Sequence, residues 1–218
     1  MKQIFMLILC LLLSVMAIAQ DIKITHGPYL CDMTSGGVTV VWTTNKPALS
    51  WVEIAPDDNQ SFYAAEQPRH YETISGRKVA DKTLHRVRIN NLDAGTNYRY
   101  RIFSKEVLDM KQNNNVLYGK TVASNVFRKK PFLFTTYPDK GDVCSFLIFN
   151  DIHGKSDLLA DLAKGEDFSK INFVALNGDM VNSTESEEQI FKDYIDTLVT
   201  TFASETPIIF NLFYRDVF

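Results

Sequence analysis

The chain has 218 residues, 45% of them hydrophobic and 22% charged, a balance that excludes intrinsic disorder and fits one or two globular domains. A formal net charge of -3 leaves no basic footprint for nucleic acid.

Residues 1–19 read as a cleavable export signal. Lys2 makes a short positive start, and Ile4 to Val15 is an apolar run too short to span a bilayer comfortably. Ala17-Ile18-Ala19 then gives a small-x-small cleavage pattern. The same run has an uncleaved anchor as its alternative reading. The expectation is a secreted or periplasmic protein with no membrane association after signal cleavage. Cys31 and Cys144 would then be the remaining cysteines. An oxidising compartment permits a disulfide, but two separate thiols is the better reading of cysteines so far apart.

Residues 21–136 carry strand patterns throughout. Val38, Val40 and Trp42 fall on one strand face, and Trp51-Val52-Glu53-Ile54 makes a second short strand. Val87 and Ile89 alternate with outward Arg86 and Arg88. Tyr98, Tyr100 and Ile102 alternate likewise with Arg99 and Arg101. Ser35-Gly36-Gly37, Pro56-Asp57-Asp58-Asn59 and Asn90-Asn91 punctuate the runs as turns. Residues 109–121, with Asn113-Asn114-Asn115, read as a polar loop, and Phe132 to Thr136 as a last strand. Such short, punctuated strands predict a β-sandwich. His26, His70 and His85 sit singly in this region and read as structural or solvated.

After a linker at residues 137–143 the pattern changes. Phe146 to Phe149 belongs to a continuous apolar run, as in a strand buried on both faces. Ser156 to Lys164 is helical, with Leu158, Leu159 and Leu162 on one stripe. Asn172 to Asn177 is a second buried strand. A long amphipathic helix follows from about Glu185 to Ala203, with Thr184 and Glu187 spaced as a capping box. Pro207 to Phe210 opens a third strand. The β-α-β-α-β order predicts a parallel α/β layer over residues 144–218.

Two strands of that layer end in acidic signatures, Asn150-Asp151-Ile152-His153-Gly154 and Asn177-Gly178-Asp179-Met180. Parallel neighbours put both ends on one carboxyl edge, where α/β ligand sites lie. Asp151, His153 and Asp179 are therefore the candidate metal ligands. Carboxylate oxygen with imidazole nitrogen suits Mn, Fe or Zn. Gly154 and Gly178 allow tight turns around them.

The strand ending Asp-x-His-Gly, a helix, and a strand ending Asn-Gly-Asp resemble the opening of the calcineurin-like metallophosphoesterases. Ile24-Thr25-His26-Gly27-Pro28-Tyr29-Leu30, followed by Val38 to Trp42, is similar to the N-terminal β-domain of purple acid phosphatases. Leu92-Asp93-Ala94-Gly95-Thr96-Asn97-Tyr98 resembles the tyrosine corner of fibronectin type III domains. The fold expected is a fibronectin-like sandwich followed by a partial metallophosphoesterase domain.

The resemblance implies a divalent metal pair, with Asp151 and His153 on the first ion, Asp179 bridging, and a phosphate ester as substrate. Two departures bear on activity. His153 stands where purple acid phosphatases have Gly, and Asn182 where they have a metal-binding Tyr, so an iron–tyrosinate centre is not expected. The Gly-Asn-His motif and later histidines of the family are also missing. The expectation is therefore a truncated or frameshifted product with little activity and at most one weakly bound metal. Its incomplete sheet should leave an apolar face and an unpaired edge exposed. The alternative is a secreted β-sandwich binding module with an inert phosphoesterase remnant.

Overall fold

The computed structural model describes residues 20–111, 115–124, 130–141 and 143–211. The expected export signal at residues 1–19, Asn113 and Asn114 of the polar stretch, and residues 212–218 lie outside the described residues.

Strands β1 (Ile24–Thr34) and β2 (Gly37–Pro56) form an antiparallel hairpin, with Tyr29 opposite Val41 and Cys31 opposite Thr39. Strand β2 is 20 residues long and changes partners halfway. Its first half pairs on the other side with β6 (Lys82–Asn90), Val40 facing Val87 and Trp42 facing His85. From Ala48 onward it pairs with β7 (Asn97–Lys111), and from Trp51 to Glu53 also with β3 (Arg69–Tyr71). Two strands read from the sequence are thus one. The ladder to β6 breaks between Thr43 and Ala48, where Pro47 has no N–H to give. A strand that leaves one sheet for another forms the corner of a sandwich.

Strands β4 (Thr73–Ile74) and β5 (Arg77–Lys78) make a small separate ribbon. Strands β8 (Asn115–Ala123) and β9 (Phe132–Thr135) both pair with β7. The sandwich core is built from Leu30, Val38, Val40, Trp42, Val52, Ile89, Tyr100 and Ile102, all fully buried. Trp42 buries its indole and still satisfies it, donating from Nε1 to Ser104 Oγ at 2.9 Å. The tyrosine corner is formed: the Asp93 N–H donates to the Tyr98 hydroxyl at 2.9 Å, and Gly95 takes the left-handed conformation at φ +60°.

Two local readings change. The polar stretch around 109–121 is a hairpin, with Met110 opposite Val116 and Asp109 opposite Leu117. Leu108, Met110 and Leu117 are exposed there, so neither face is buried and no alternation marks the strands. Arg99 and Arg101, expected outward, are buried. Arg99 donates to Pro56 O and to Asp58 Oδ1, and both guanidiniums lie within 6 Å of the Phe62 ring, at 5.9 and 5.8 Å. The loop after β2 folds back over that face and supplies what buried arginines need, acceptors and an aromatic surface.

The C-terminal part alternates strands and helices: β10 (Phe146–Phe149), α1 (Ser156–Ala163), a 3-10 turn (Phe168–Lys170), β11 (Phe173–Leu176), a long helix α2 (187–203) and β12 (Ile208–Phe210). The three strands are parallel and in register, Phe149 beside Leu176 beside Phe210. Helix α2 passes through π-helical turns at Phe191–Ile195 and Val199–Ala203. It begins at Glu187, so its cap is Ser186 rather than Thr184, and Ser186 Oγ accepts from the Gln189 N–H at 3.2 Å. On α1, Leu159 and Ala163 are buried while Leu158 and Leu162 are exposed, so one i, i+4 pair carries its packing.

Phe149, Val174, Leu176 and Ile208 form one sheet face and pack on Leu159, Tyr194, Leu198 and Phe202. The opposite face is open, with Phe146 49%, Ile148 56% and Ile209 44% exposed. Its Phe146 and Phe173 rings stack at 5.0 Å. Strand β12 also bridges to β1 in parallel through Ile208 and Cys31, giving a continuous order β10-β11-β12-β1-β2-β7-β8. Polar bonds reinforce the joint: Tyr100 Oη donates to Ser204 O at 2.6 Å and Ser204 Oγ to Pro28 O at 3.0 Å. Cys31 is buried and Cys144 exposed, and both are free thiols. Burial, aided by the neighbouring Asp32 carboxylate, pushes the Cys31 thiol up to about 12. Among the described residues no helix is long and apolar enough to cross a membrane.

A candidate metal centre at the carboxyl edge

The carboxyl ends of β10 and β11 are held together by backbone as well as side chains. The N–H groups of Asp151, His153 and Gly154 donate to the carbonyls of Gly178, Asp179 and Met180 at 3.3, 3.0 and 2.8 Å. The two post-strand loops therefore run side by side, which is why motifs 26 or more positions apart share one edge.

Their backbone is unusual. Asp151, His153 and Asp179 all have positive φ, at 56°, 54° and 49°. Gly154 and Gly178, which tolerate that region freely, sit beside them at 70° and 82°. A non-glycine residue in the left-handed region costs of order 1–3 kcal/mol, and three of them gather here on two short loops. A Cβ at Gly154 would lie 3.1 Å from Asp193 Oδ2, so helix α2 also crowds this turn.

The side chains are brought together unevenly. Asp151 Oδ1 and His153 Nε2 are 3.7 Å apart. Two donors each about 2.1 Å from one ion can be separated by up to roughly 4.2 Å, so this pair fits a shared divalent ion. The other ring nitrogen, His153 Nδ1, is buried without a hydrogen-bond partner, which leaves Nε2 as the outward donor. Asp179 adjoins the pair through its carbonyl. Among the described residues, no three His, Cys, Asp or Glu side chains converge as a ligand group.

The asparagines of the two motifs, with a third directly after β12, do more than the sequence revealed. Asn211 Nδ2 donates to Asn177 Oδ1 at 2.7 Å, and Asn177 Nδ2 to Asn150 Oδ1 at 3.1 Å. Asn150 Nδ2 then donates to Asp151 Oδ2. The signal in the sequence is an Asn directly after each of the three apolar strands, and it becomes meaningful once the strands are in register.

His26 also has a role that lone-histidine statistics do not foresee. Its Nδ1 lies 2.9 and 3.0 Å from the two Asp196 oxygens, its Nε2 3.2 Å from Glu188, and its ring stacks on Phe191 at 4.3 Å. It ties β1 to helix α2. His85 is buried in the sandwich 2.8 Å from Thr44 Oγ1, a structural histidine. A cleft of about 620 Å³ lies elsewhere, between β9 and the 3-10 turn, lined by Leu133, Thr135, Phe168 and Lys170 among others. It lacks the acidic motifs, so size alone does not mark it as the reactive site.

Residues 29–128 match the family model of the purple acid phosphatase N-terminal domain. A purple acid phosphatase, PPD1 from yellow lupin (Lupinus luteus) seeds, is structurally similar, with a TM-score of 0.54 and 16% identity over 85% of this chain and 34% of that one. At that identity the likeness is one of fold, and this chain spans about a third of the lupin protein's length. A Br derivative of BhCBM56 aligns at a TM-score of 0.24 and 16% identity, over 48% of this chain and 98% of that one, too weakly to inform the comparison. No curated protein matches. The β-sandwich is thus similar to the domain that stands at the N-terminus of purple acid phosphatases.

Proposed function

We propose that this chain joins a β-sandwich, residues 21–136, to the opening of a metallophosphoesterase layer, residues 144–218, and that its ancestry is in metal-dependent hydrolysis of phosphoric esters. The observation that carries this reading is the approach of Asp151 and His153 to 3.7 Å at a carboxyl edge of parallel strands. The left-handed backbone at Asp151, His153 and Asp179 supports it, since strain of this kind collects at functional sites. The match of residues 29–128 to the domain that precedes such enzymes agrees with it.

In this reading Asp151 Oδ1 and His153 Nε2 would hold a Mn, Fe or Zn ion, with Asp179 on the neighbouring loop as the third candidate ligand. A bound ion pair in such a site supplies a water of lowered pKa and a clamp for phosphate oxygens. Gly154 and Gly178 make the left-handed turns beside these residues without strain. His153, in place of a glycine, and Asn182, in place of a tyrosine, favour a pair without tyrosinate. The leader at residues 1–19 fits a protein exported from the cytoplasm.

The test is calorimetric titration of the full chain with Mn²⁺, alongside Asp151→Ala and His153→Ala. Weak binding by the parent chain, lost in both variants, is the expected result. Equal heats for parent and variants would remove the metal reading. Turnover of p-nitrophenyl phosphate should be slow, because Asp151, His153 and Asp179 are only part of a two-ion ligand set.

A further inference from the structure

The three asparagines at the carboxyl edge occupy equivalent places. Asn150, Asn177 and Asn211 each follow the last paired residue of a strand, and those residues, Phe149, Leu176 and Phe210, are direct neighbours across the sheet. Their backbones stay in step: Asn177 N–H donates to Phe149 O at 2.8 Å and Asn211 N–H to Leu176 O at 2.9 Å. The amides are thus stacked in one row across β12, β11 and β10.

The row has a direction fixed by chemistry. An ionised carboxylate only accepts hydrogen bonds, so Asn150 must turn its NH₂ to Asp151 Oδ2 and its carbonyl to Asn177. Asn177 must then donate to Asn150 and accept from Asn211, as the distances of 3.1 and 2.7 Å record. Each amide that accepts one bond becomes a better donor of the next. The row ends on Oδ2, while Oδ1 of the same carboxylate is the oxygen that faces His153.

We infer that Asn150, Asn177 and Asn211 form a polarised amide row that positions Asp151, holding Oδ2 by hydrogen bonds so that Oδ1 is presented with His153 Nε2 to a divalent cation. The inference rests on the metal reading of Asp151 and His153. It assigns the asparagines a positioning role and no direct contact with the ion. Partners that orient a metal ligand in this way typically contribute 10–100-fold to metal affinity.

The informative variant is Asn177→Asp. It keeps the shape of the side chain but replaces its donor with an acceptor. Asn150 must then either face two acceptors or turn its carbonyl toward Asp151. Simple electrostatics predicts the opposite outcome, because an added negative charge near the edge attracts a cation. Mn²⁺ titration of the full chain with Asn177→Asp, Asn177→Ala, Asn211→Ala and Asp151→Ala separates the cases, with circular dichroism to show that each folds. The expected result is roughly ten-fold weaker Mn²⁺ binding for Asn177→Asp and Asn177→Ala, a smaller loss for the terminal Asn211→Ala, and none left in Asp151→Ala. Parent-like or tighter binding in Asn177→Asp, with binding still lost in Asp151→Ala, overturns the positioning role and leaves the metal site standing. Equal binding in the parent and Asp151→Ala overturns both. Should Asn177 variants fail to fold, exposed Asn211→Ala decides alone: an unchanged affinity there overturns the row as a unit.

Discussion

The β-sandwich and the parallel layer spend their apolar residues differently. In the sandwich, Trp42, Tyr100, Val38, Val40, Ile89 and Ile102 are completely enclosed, and even the arginines of β7 are covered. In the parallel layer one face is closed by α1 and α2, while Phe146, Ile148 and Ile209 stand open on the other. Backbone strain divides in the same way. The loops after β10 and β11 concentrate three left-handed non-glycine residues around the acidic motifs. The sandwich has such residues scattered singly, among them Asp32 at an irregularity of β1 and Ser75 and Asn91 in turns. The contrast separates a scaffold closed on itself from a layer whose carboxyl edge gathers left-handed loops and whose far face lies open.

The strongest way to break this comparison is to attack the closed core. Trp42→Ala removes a fully buried ring and its bond to Ser104, and should cost about 3–5 kcal/mol. Urea unfolding followed by circular dichroism checks it. A loss below 1 kcal/mol would show that the sandwich is not the stabilising unit.

Acid should act on the same region. Burial pushes the His85 imidazole down from 6.5 to about 4, so the folded protein holds it neutral where the unfolded chain takes up a proton. The unfolded state therefore binds more protons between those values, and stability should fall as pH falls through that window. The full shift corresponds to on the order of 3 kcal/mol. His85→Gln should flatten that part of the stability–pH curve, while an unchanged slope would assign the acid sensitivity to other groups.

The smallest effect is expected on the open sheet face. Ile148→Ser exposes no cavity, because Ile148 is already more than half exposed, and should change stability by about 0.5 kcal/mol or less. It should also lower self-association in analytical ultracentrifugation, since it interrupts an exposed apolar patch. A loss of several kcal/mol would mean that this face is packed in solution.

Much of this was legible in the residues. Alternation at Val38, Val40 and Trp42 marks a half-buried strand because side chains in a strand point to opposite faces with period two. The Leu92 to Tyr98 segment announces its corner because the contact it makes, Asp93 to Tyr98, is local. The order of strands and helices after residue 143, and the placement of Asp151, His153 and Asp179 just beyond strand ends, follow from the same short-range patterns. Where sequence reading erred, the cause lay at longer range. The hairpin around 109–121 has no buried face to impose a period. Arg99 and Arg101 are covered by a loop that folds back from a distant part of the chain.

By itself, then, the sequence determined the strand and helix periods, the change from sandwich to parallel order and the acidic motifs, all properties of neighbours within a few residues. Only the tertiary structure decided that β2 serves two sheets, that His26 is clasped by Asp196 and Glu188 some 160 positions and more away, and that three separate asparagines align on Asp151. Those outcomes depend on register and on which faces meet, and no local pattern encodes a distance between residues that the fold alone brings together.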